Sequence, residues 1–299
     1  MGKHYLFAMW EGGGNVLPAR TILGKTRDAV VRWLVTSIFN KALPALNETR
    51  RGLGLEPLTS FFDQALEADA FFVLTSAAFD FASPFVPSHV RYVGPILDDP
   101  QWAEPWTPPW SPENRDPLVL VGFSSTFQDQ GPVLRNVVKA LAGLPVRALV
   151  TLGEMLPDGE VQSTGSVVVV RSAPHREVLS RASVVVTHCG HGTTMKALAA
   201  GVPMVCMPMG RDQDDTAARV VHAGAGVRIK PKASAETIAH AVASVLKDDR
   251  FRSNARRLRD AIAGELGRVD VAAALERIGA AAVDQRGIEI VASPARAFS

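Results

Sequence analysis

Short apolar runs separated by longer amphipathic stretches dominate the chain after residue 117. The apolar runs are rich in valine and other branched residues, which is typical of strands buried on both faces of a parallel sheet. These runs cover residues 118–123, 146–151, 167–170, 184–186 and 202–207. The amphipathic stretches predict helices over residues 130–141, 235–247, 250–265 and 269–283. Strands that alternate with helices predict an α/β fold with a parallel sheet.

The first part of the chain shows the same pattern in shorter pieces. A helix is predicted over residues 27–43, with Thr26 as its N-terminal cap and Pro44 as its stop. The apolar residues at helical spacing in this stretch are Val30, Val31, Leu34, Ile38 and Phe39. Strands are predicted over residues 70–74 and 90–93. This part is therefore expected to be a small α/β unit.

Prolines and tryptophans are concentrated in residues 98–117, which is typical of a linker. We therefore divide the chain into an N-terminal unit over residues 1–97, this linker, a second unit over residues 118–284 and a loose tail over residues 285–299. Tryptophans of the linker either pack it onto the two units or form a platform for a sugar ring. They are Trp102, Trp106 and Trp110.

Composition narrows the classes of function. The 299 residues are 47% hydrophobic and 21% charged, which suits a globular protein with a large core. A formal charge of only +2 argues against nucleic-acid binding, which needs a basic surface. The two cysteines, Cys189 and Cys206, each end a predicted core strand and are expected to be reduced, and no Cys/His group has zinc spacing. Because no signal peptide and no membrane-spanning run is recognisable, we expect a cytoplasmic protein without a membrane span.

A glycine-bearing turn lies between a predicted strand and a helix predicted over residues 195–200. The turn contains His188, Gly190, Gly192 and Thr193. Because the first N–H groups of a helix lack intrahelical partners and the helix dipole adds positive charge, such a turn can bind a phosphate. The glycines allow close approach, and His188 and Thr193 offer side-chain donors. The alternative is an ordinary helix start that is capped by one of its threonines, with glycines that serve only the turn.

An acid and an amide follow the next predicted strand. Pro208 ends the strand over residues 202–207, and Asp212 and Gln213 come after it. Ligands of open α/β sheets bind outside the carboxyl ends of the strands. Carboxylate and amide groups suit the hydroxyl groups of a sugar. A phosphate-binding turn beside an acid–amide pair therefore indicates a ligand with a diphosphate and several hydroxyls.

The ordered string H-C-G-H-G-T-x-x-x-A-L-x-x-G-V-P, then P-x-x-x-D-Q and G-x-G, runs from His188 to Gly226. It resembles the donor-site signature of inverting glycosyltransferases of the UDP-glycosyltransferase superfamily, bacterial type. The resemblance implies a GT-B-like fold with a Rossmann-like C-terminal donor domain and a reduced N-terminal α/β domain on the acceptor side. It also implies metal-independent transfer of a hexose, such as glucose, from a UDP- or dTDP-sugar to a hydroxyl of a small hydrophobic acceptor. The nucleotide sugar is then a co-substrate, and no further cofactor is expected.

The resemblance assigns roles to particular residues. Hydroxyls after the first strand of the donor domain would lie against the diphosphate, and the backbone at Ala173 would recognise the base. The turn at His188 would bind the diphosphate, and Asp212 with its neighbour the sugar. The implied donor-binding residues are Ser125, Thr126, Ala173, His188, Gly190, Gly192, Thr193, Asp212 and Gln213.

Several positions depart from the family pattern. Asn15 stands where the family has the histidine that acts as general base, and an amide does not accept a proton at neutral pH. Ser172 and His175 replace a tryptophan and a glutamine on the base side. Lys196 replaces a glutamate that binds the ribose, so it either approaches phosphate or is an exposed helix lysine. Most of the N-terminal acceptor domain is absent between Arg20 and the predicted first helix.

These departures leave more than one function open. The first is a glycosyltransferase in which Asn15 orients the acceptor. The second is a catalytically impaired remnant that binds nucleotide sugars without turnover. A sugar-nucleotide epimerase of the same architecture is a third, although no acid–base carboxylates can be placed for it. A shortened N-terminal domain would expose apolar surface, so a homodimer is also possible.

Overall fold

The computed structural model describes residues 19, 21–65, 67–81, 86–99, 106–123, 129–153, 156–157 and 159–286. Its strands are β1 (Phe71–Val73), β2 (Val90–Tyr92), β3 (Leu118–Gly122), β4 (Arg147–Thr151), β5 (Val167–Val170), β6 (Val184–Thr187), β7 (Met204–Cys206) and β8 (Gly226–Arg228). Its α-helices are α1 (Ile22–Phe39), α2 (Leu43–Gly52), α3 (Gly131–Ala142), α4 (His175–Leu179), α5 (His191–Ala199), α6 (Gln213–His222), α7 (Ala235–Lys247), α8 (Asp249–Glu265) and α9 (Val271–Arg286). Short 3₁₀ helices cover Asn40–Ala42 and Phe61–Ala65.

Strands β3 to β8 form one parallel sheet in the order β5-β4-β3-β6-β7-β8. Numbered from β3, this order is 3-2-1-4-5-6, which is the strand order of the Rossmann fold. The predicted α/β class with a parallel sheet is therefore confirmed. The strand order reverses between β3 and β6, where Gly122 lies opposite Thr187.

The sheet is buried on both faces because successive side chains of each strand point to opposite sides. On β3, Val119 and Val121 pack in one apolar layer with α3 and α7. Leu118 and Leu120 pack in the other layer, with α5 and α8. The predicted strand and helix positions after residue 117 are confirmed to within a few residues, although α5 begins at His191 rather than at residue 195.

The sequence missed three elements of this domain, which are α4, α6 and β8. The strand β8 and the helix α4 are short, and short elements carry too few residues for a periodic pattern. Helix α6 is a different case, since its first turn is acidic and its exposed residues include both Val221 and His222, which obscures the periodic pattern. The two cysteines are free and buried, as predicted. In the described part of the chain, no helix is long and apolar enough to cross a membrane.

The first helix differs from its prediction at both ends. It begins at Ile22 with Thr21 as its cap, because the Thr21 hydroxyl accepts the N–H of Gly24. Thr26 is not the cap. Pro44 does not stop a helix but lies in the first turn of α2, where the missing N–H of proline costs nothing. No residue of α1 is buried, although its apolar spacing predicted a packed face.

The segment after β1, which contains β2, is anchored to the large domain. Asp80 forms a buried ion pair with Arg219 on α6, and its other oxygen accepts the Tyr92 hydroxyl at 2.7 Å. The Arg219 guanidinium also lies 4.4 Å from the ring centre of Phe81. Glu265 accepts the backbone N–H groups of residues 77 and 78. These contacts fix residues 77–81 and strand β2 against the large domain.

Tryptophans of the predicted linker pack onto the large domain. Trp106 and Trp110 lie against its second apolar layer, and the Trp110 indole donates to the carbonyl of Ser166 at 2.9 Å. Arg147 and Arg181 lie over these two rings. The structure therefore confirms the interpretation that Trp106 and Trp110 pack the linker onto a domain, rather than the alternative that they form a platform for a sugar ring. Trp102 lies outside the described residues. The domain boundaries themselves stay a prediction.

Candidate functional site

The site lies at the carboxyl edge of the sheet, where the strand order reverses between β3 and β6. Connections leave these two strands in opposite directions, which opens a crevice for a ligand. Phe123 follows β3, and the turn from His188 to Gly190 follows β6. Ser125 and Thr126, which were predicted to line the same crevice, lie outside the described residues, as does Asn15.

The turn after β6 requires unusual backbone geometry. Cys189 has a φ of 65°, in the left-handed region that non-glycine residues rarely adopt. A Cβ at Gly190 would lie 2.5 Å from Nε2 of His188, so only glycine allows the imidazole to stand against the backbone here. Gly192 has no neighbouring atom within 4 Å of its Cβ position and borders open space.

Helix α5 presents uncapped N–H groups to this crevice. Its N-cap is Gly190, and no side chain of the described residues caps the first turn, so the predicted alternative of a threonine cap is wrong. Glycine at the cap leaves these donors for a ligand, and the helix dipole adds partial positive charge. Thr193 lies in the same first turn and is partly exposed. The arrangement suits a phosphate group.

His188 lies at the bottom of the crevice as a neutral donor. It is 7% exposed, and its ring stacks on Phe123 with 6.0 Å between ring centres. Burial lowers the pKa of His188, which its hydrogen bond to the backbone of Gly122 and the charge of Asp212 only partly offset. The imidazole is therefore neutral at pH 7 and ties the end of β3 to the end of β6.

His191 and Asp212 approach the same place from two helices. His191 is the first residue of α5, and burial lowers its pKa while the charge of Asp212 acts in the opposite direction. Asp212 is the N-cap residue of α6, but its carboxylate makes no capping hydrogen bond and is exposed. The structure thus brings Asp212 within electrostatic range of both His188 and His191. His191 was not predicted as a site residue, although it lies inside the signature string.

Gln213 has a structural contact in addition to its predicted place at the sugar. It is only 2% exposed, and its side-chain oxygen accepts the N–H of Met209 at 2.8 Å. This bond holds the loop that contains Gly210 and Arg211, both of which have positive φ angles. Gln213 therefore fixes the loop that presents Asp212.

The base side of the crevice is formed by residues before and within α4. Ala173 is partly buried against the second apolar layer. Atom Cε1 of His175 lies 3.3 Å from the Cβ position of Gly122, so the ring covers the ends of β3 and β4. Burial, with a smaller contribution from the charge of Lys196, lowers the pKa of His175. An uncharged ring therefore lies beside the position predicted to recognise the base.

Lys196 is neither an exposed helix lysine nor free to approach phosphate. Its ammonium group lies 2.5 Å from a carboxylate oxygen of Asp99, and both side chains are about 15% exposed. The other oxygen of Asp99 accepts the N–H of Arg176 at 2.9 Å. Burial alone would raise the pKa of Asp99, but these hydrogen bonds lower it on balance. The pair joins the linker to α4 and α5, and nothing in the local sequence of Asp99 indicated it.

Metal ligands are not grouped at this edge of the sheet. Among the residues that the structure describes, no cluster of three or more His, Cys, Asp or Glu side chains could hold a metal ion. The positive partial charge for an anion comes instead from α5 and the neighbouring donors.

Comparison with known proteins identifies relatives of this arrangement. A family model described as "UDP-glucoronosyl and UDP-glucosyl transferase" matches residues 45–262. The chain is 31% identical to 4'-demethylrebeccamycin synthase of Lentzea aerocolonigenes over 272 residues, which cover 88% of this chain and 63% of the relative. It is 31% identical to demethyllactenocin mycarosyltransferase of Streptomyces fradiae over 221 residues, which cover 71% of this chain and 45% of the relative. The chain thus spans between about half and two thirds of the length of these two relatives.

Solved structures show the same fold. The glycotransferase of kitacinnamycin superposes with a TM-score of 0.69 at 23% identity, over 86% of this chain and 67% of that chain. The calicheamicin glycosyltransferase CalG4 superposes with a TM-score of 0.67 at 23% identity, over 96% and 66%. The fold is therefore GT-B-like. Because the family model covers well over half of the sequence, this chain belongs to the UDP-glucoronosyl and UDP-glucosyl transferase family.

Proposed function

We propose that this protein is a glycosyltransferase that moves a hexose from a UDP- or dTDP-sugar to a hydroxyl of a small hydrophobic acceptor. The observation that carries the proposal is the uncapped start of α5 at the reversal of strand order, with neutral His188 beneath it and Asp212 beside it. The family match supports it, as do relatives whose names describe a mycarosyltransferase and a UDP-glucuronosyltransferase.

The leaving diphosphate is stabilised by the protein's own donors. The free N–H groups of α5 and the hydroxyl of Thr193 face the developing negative charge. His188 adds an N–H donor from a buried site, where electrostatic interactions are stronger than in water. Because these groups supply the stabilisation that a cation supplies elsewhere, we propose a metal-independent reaction.

Asp212 binds hydroxyls of the sugar. Its carboxylate is exposed and makes no capping bond, so both oxygens remain acceptors, and Gln213 holds the loop that presents it. Displacement then proceeds with inversion: the acceptor oxygen bonds to the anomeric carbon as the bond to the diphosphate oxygen breaks. Asn15, at the family position of the base, orients the acceptor hydroxyl, and the proton passes to water or to a basic group of the substrate.

Nucleoside-diphosphate release tests this function directly. The full chain is incubated with UDP-glucose or dTDP-glucose, with and without a panel of phenolic and macrolide-type acceptors. Acceptor-dependent release, with a glycosylated product of inverted configuration by NMR, is expected. Tight binding of the nucleotide sugar by a folded protein without release to any acceptor would contradict the transferase and favour a binding protein.

Asp212→Ala separates sugar binding from diphosphate binding. We expect it to weaken UDP-glucose at least about tenfold and UDP by less than about twofold, since one hydrogen bond to a charged group contributes about 1.5–3 kcal/mol. Isothermal titration calorimetry measures both ligands. Asp214→Ala is the matched control, because Asp214 lies two residues further along and is paired with Arg228. Equal losses for UDP and UDP-glucose would contradict the sugar contact.

A further inference from the structure

Helix α1 presents its apolar face to solvent. One large apolar residue, Phe39, is 36% exposed and packs against Phe61 and Phe62. The other exposed large apolar residues have exposed fractions between 48% and 85%, and they are Ile22, Leu23, Val30, Trp33, Leu34 and Ile38. At 100° per residue these six lie within roughly 160° of the helix circumference. The partly buried residues are on the opposite side, and they are Gly24, Asp28, Val31, Arg32, Val35 and Thr36. Thr26, Arg27 and Ser37 share the exposed side with these six residues, so this side of α1 is mostly apolar rather than mostly polar as on an ordinary surface helix.

The exposed stripe is large enough for a stable interface. Taking on the order of 200 Å² for a fully exposed residue of this size, the six residues expose roughly 800 Å². Contiguous apolar patches on monomeric proteins reach only about 300–600 Å². One partner of an average protein interface contributes about 800 Å². The stripe therefore matches what one copy would contribute to a dimer.

We propose that this stripe, from Ile22 to Ile38, is the interface of a homodimer in which the α1 helices of two copies pack antiparallel. The stripe is centred on Val30, so a two-fold axis through Val30 brings Ile22 of one copy beside Ile38 of the other. A face that complements itself in this way suits an isologous two-fold contact. The helix is about 27 Å long, so the contact extends along the stripe.

Charge favours the antiparallel direction. Arg27 lies on the stripe side in the amino-terminal half of α1, so parallel helices would place the two arginines together. Antiparallel packing separates them and sets Arg27 of one copy beside Trp33 of the other, where a guanidinium can lie over the indole face. The opposed helix dipoles also attract each other.

The oligomeric state of the full chain tests the proposal. Sedimentation-velocity ultracentrifugation at protein concentrations of about 1–100 µM should show a concentration-dependent dimer. This range is chosen because interfaces of modest size typically have micromolar dissociation constants. Trp33→Lys places a lysine beside Arg27 of the second copy and is expected to raise the dissociation constant at least about tenfold, as for a central interface residue. Leu275→Lys is the matched control, because Leu275 is an exposed apolar residue on α9, and it should leave the dimer intact.

Cysteine cross-linking tests the position of the axis. Val30→Cys places two thiols on the proposed axis, and mild oxidation should give a covalent dimer. Residue 25 is also an exposed position of α1 but lies away from the stripe, so Lys25→Cys should remain monomeric in denaturing gels. The native cysteines are both buried and do not compete.

Three results would overturn the proposal. A monomer at every concentration would exclude the interface. A Trp33→Lys dimer as tight as the unmodified protein would show that the contact lies elsewhere. A dimer in which Val30→Cys cross-links no faster than Lys25→Cys would refute the antiparallel arrangement. Far-ultraviolet circular dichroism of each variant confirms that the fold is retained.

Discussion

The buried ion pair between Asp80 and Arg219 allows a stability prediction to be worked from the structure. Both side chains are 6% exposed, and the Arg219 Nε lies 2.8 Å from an oxygen of Asp80. The second oxygen accepts the Tyr92 hydroxyl, and burial together with this bond raises the pKa of Tyr92 well above its ordinary value. The perturbation is Asp80→Asn, which keeps the shape of the side chain and removes its charge.

The expected cost follows from the charge that remains. Asparagine can still accept a hydrogen bond, but the buried guanidinium of Arg219 loses the carboxylate of Asp80 as a counter-ion. Removing one partner of a buried ion pair costs about 3–5 kcal/mol. Because Asp80→Asn preserves hydrogen-bonding capacity, we expect the lower end of that range, a loss of about 3 kcal/mol in the free energy of unfolding.

Urea unfolding followed by circular dichroism measures this loss against two comparisons. Glu160→Gln removes the exposed pair with Arg135, whose side chains are 34% and 51% exposed, and should cost less than about 1 kcal/mol. The double variant Asp80→Asn with Arg219→Met removes the buried charge and should be more stable than Asp80→Asn alone.

A loss for Asp80→Asn no larger than that for Glu160→Gln would refute the reasoning. It would mean that Arg219 reaches water or another carboxylate when Asp80 is neutral. A double variant that is less stable than the single one would point instead to lost packing of Arg219 on Phe81.

Two further predictions concern the crevice. Gly190→Ala forces the buried imidazole of His188 to move and should lower the free energy of unfolding, measured in urea, by about 1–3 kcal/mol. The control is Gly192→Ala, whose added Cβ contacts no atom and should change the stability little. Equal effects of the two substitutions would contradict this explanation. Burial lowers the pKa of His175, His188 and His191, so the unfolded chain binds more protons just below pH 6.5. The free energy of unfolding should therefore be highest above about pH 6.5 and should decrease as the pH falls towards 5. A free energy of unfolding that does not change over this range would contradict the neutral imidazoles.

Local sequence determined the architecture of the large domain. Valine-rich runs such as those of β3 and β6 predict buried parallel strands wherever they occur, because the requirement to bury apolar side chains acts on each run separately. The turn around Gly190 was also recognisable, since a glycine turn between strand and helix is a local feature. Of the predicted donor residues, those from Ala173 to Gln213 lie along one edge of the sheet, and their binding roles stay predictions.

Tertiary structure alone decided which charged side chains form ion pairs with one another. Lys196 is paired with Asp99, which lies 97 residues away in the sequence, and Arg219 is paired with Asp80, which lies 139 residues away. No periodic pattern encodes such pairs, because their partners are brought together only when the sheet and the linker are in place. Helix periodicity predicted an apolar face on α1, but of its five residues only Val30, Leu34 and Ile38 lie in the exposed stripe. Which face of a helix is buried depends on the neighbours that the fold supplies, and around α1 the described residues leave that face open.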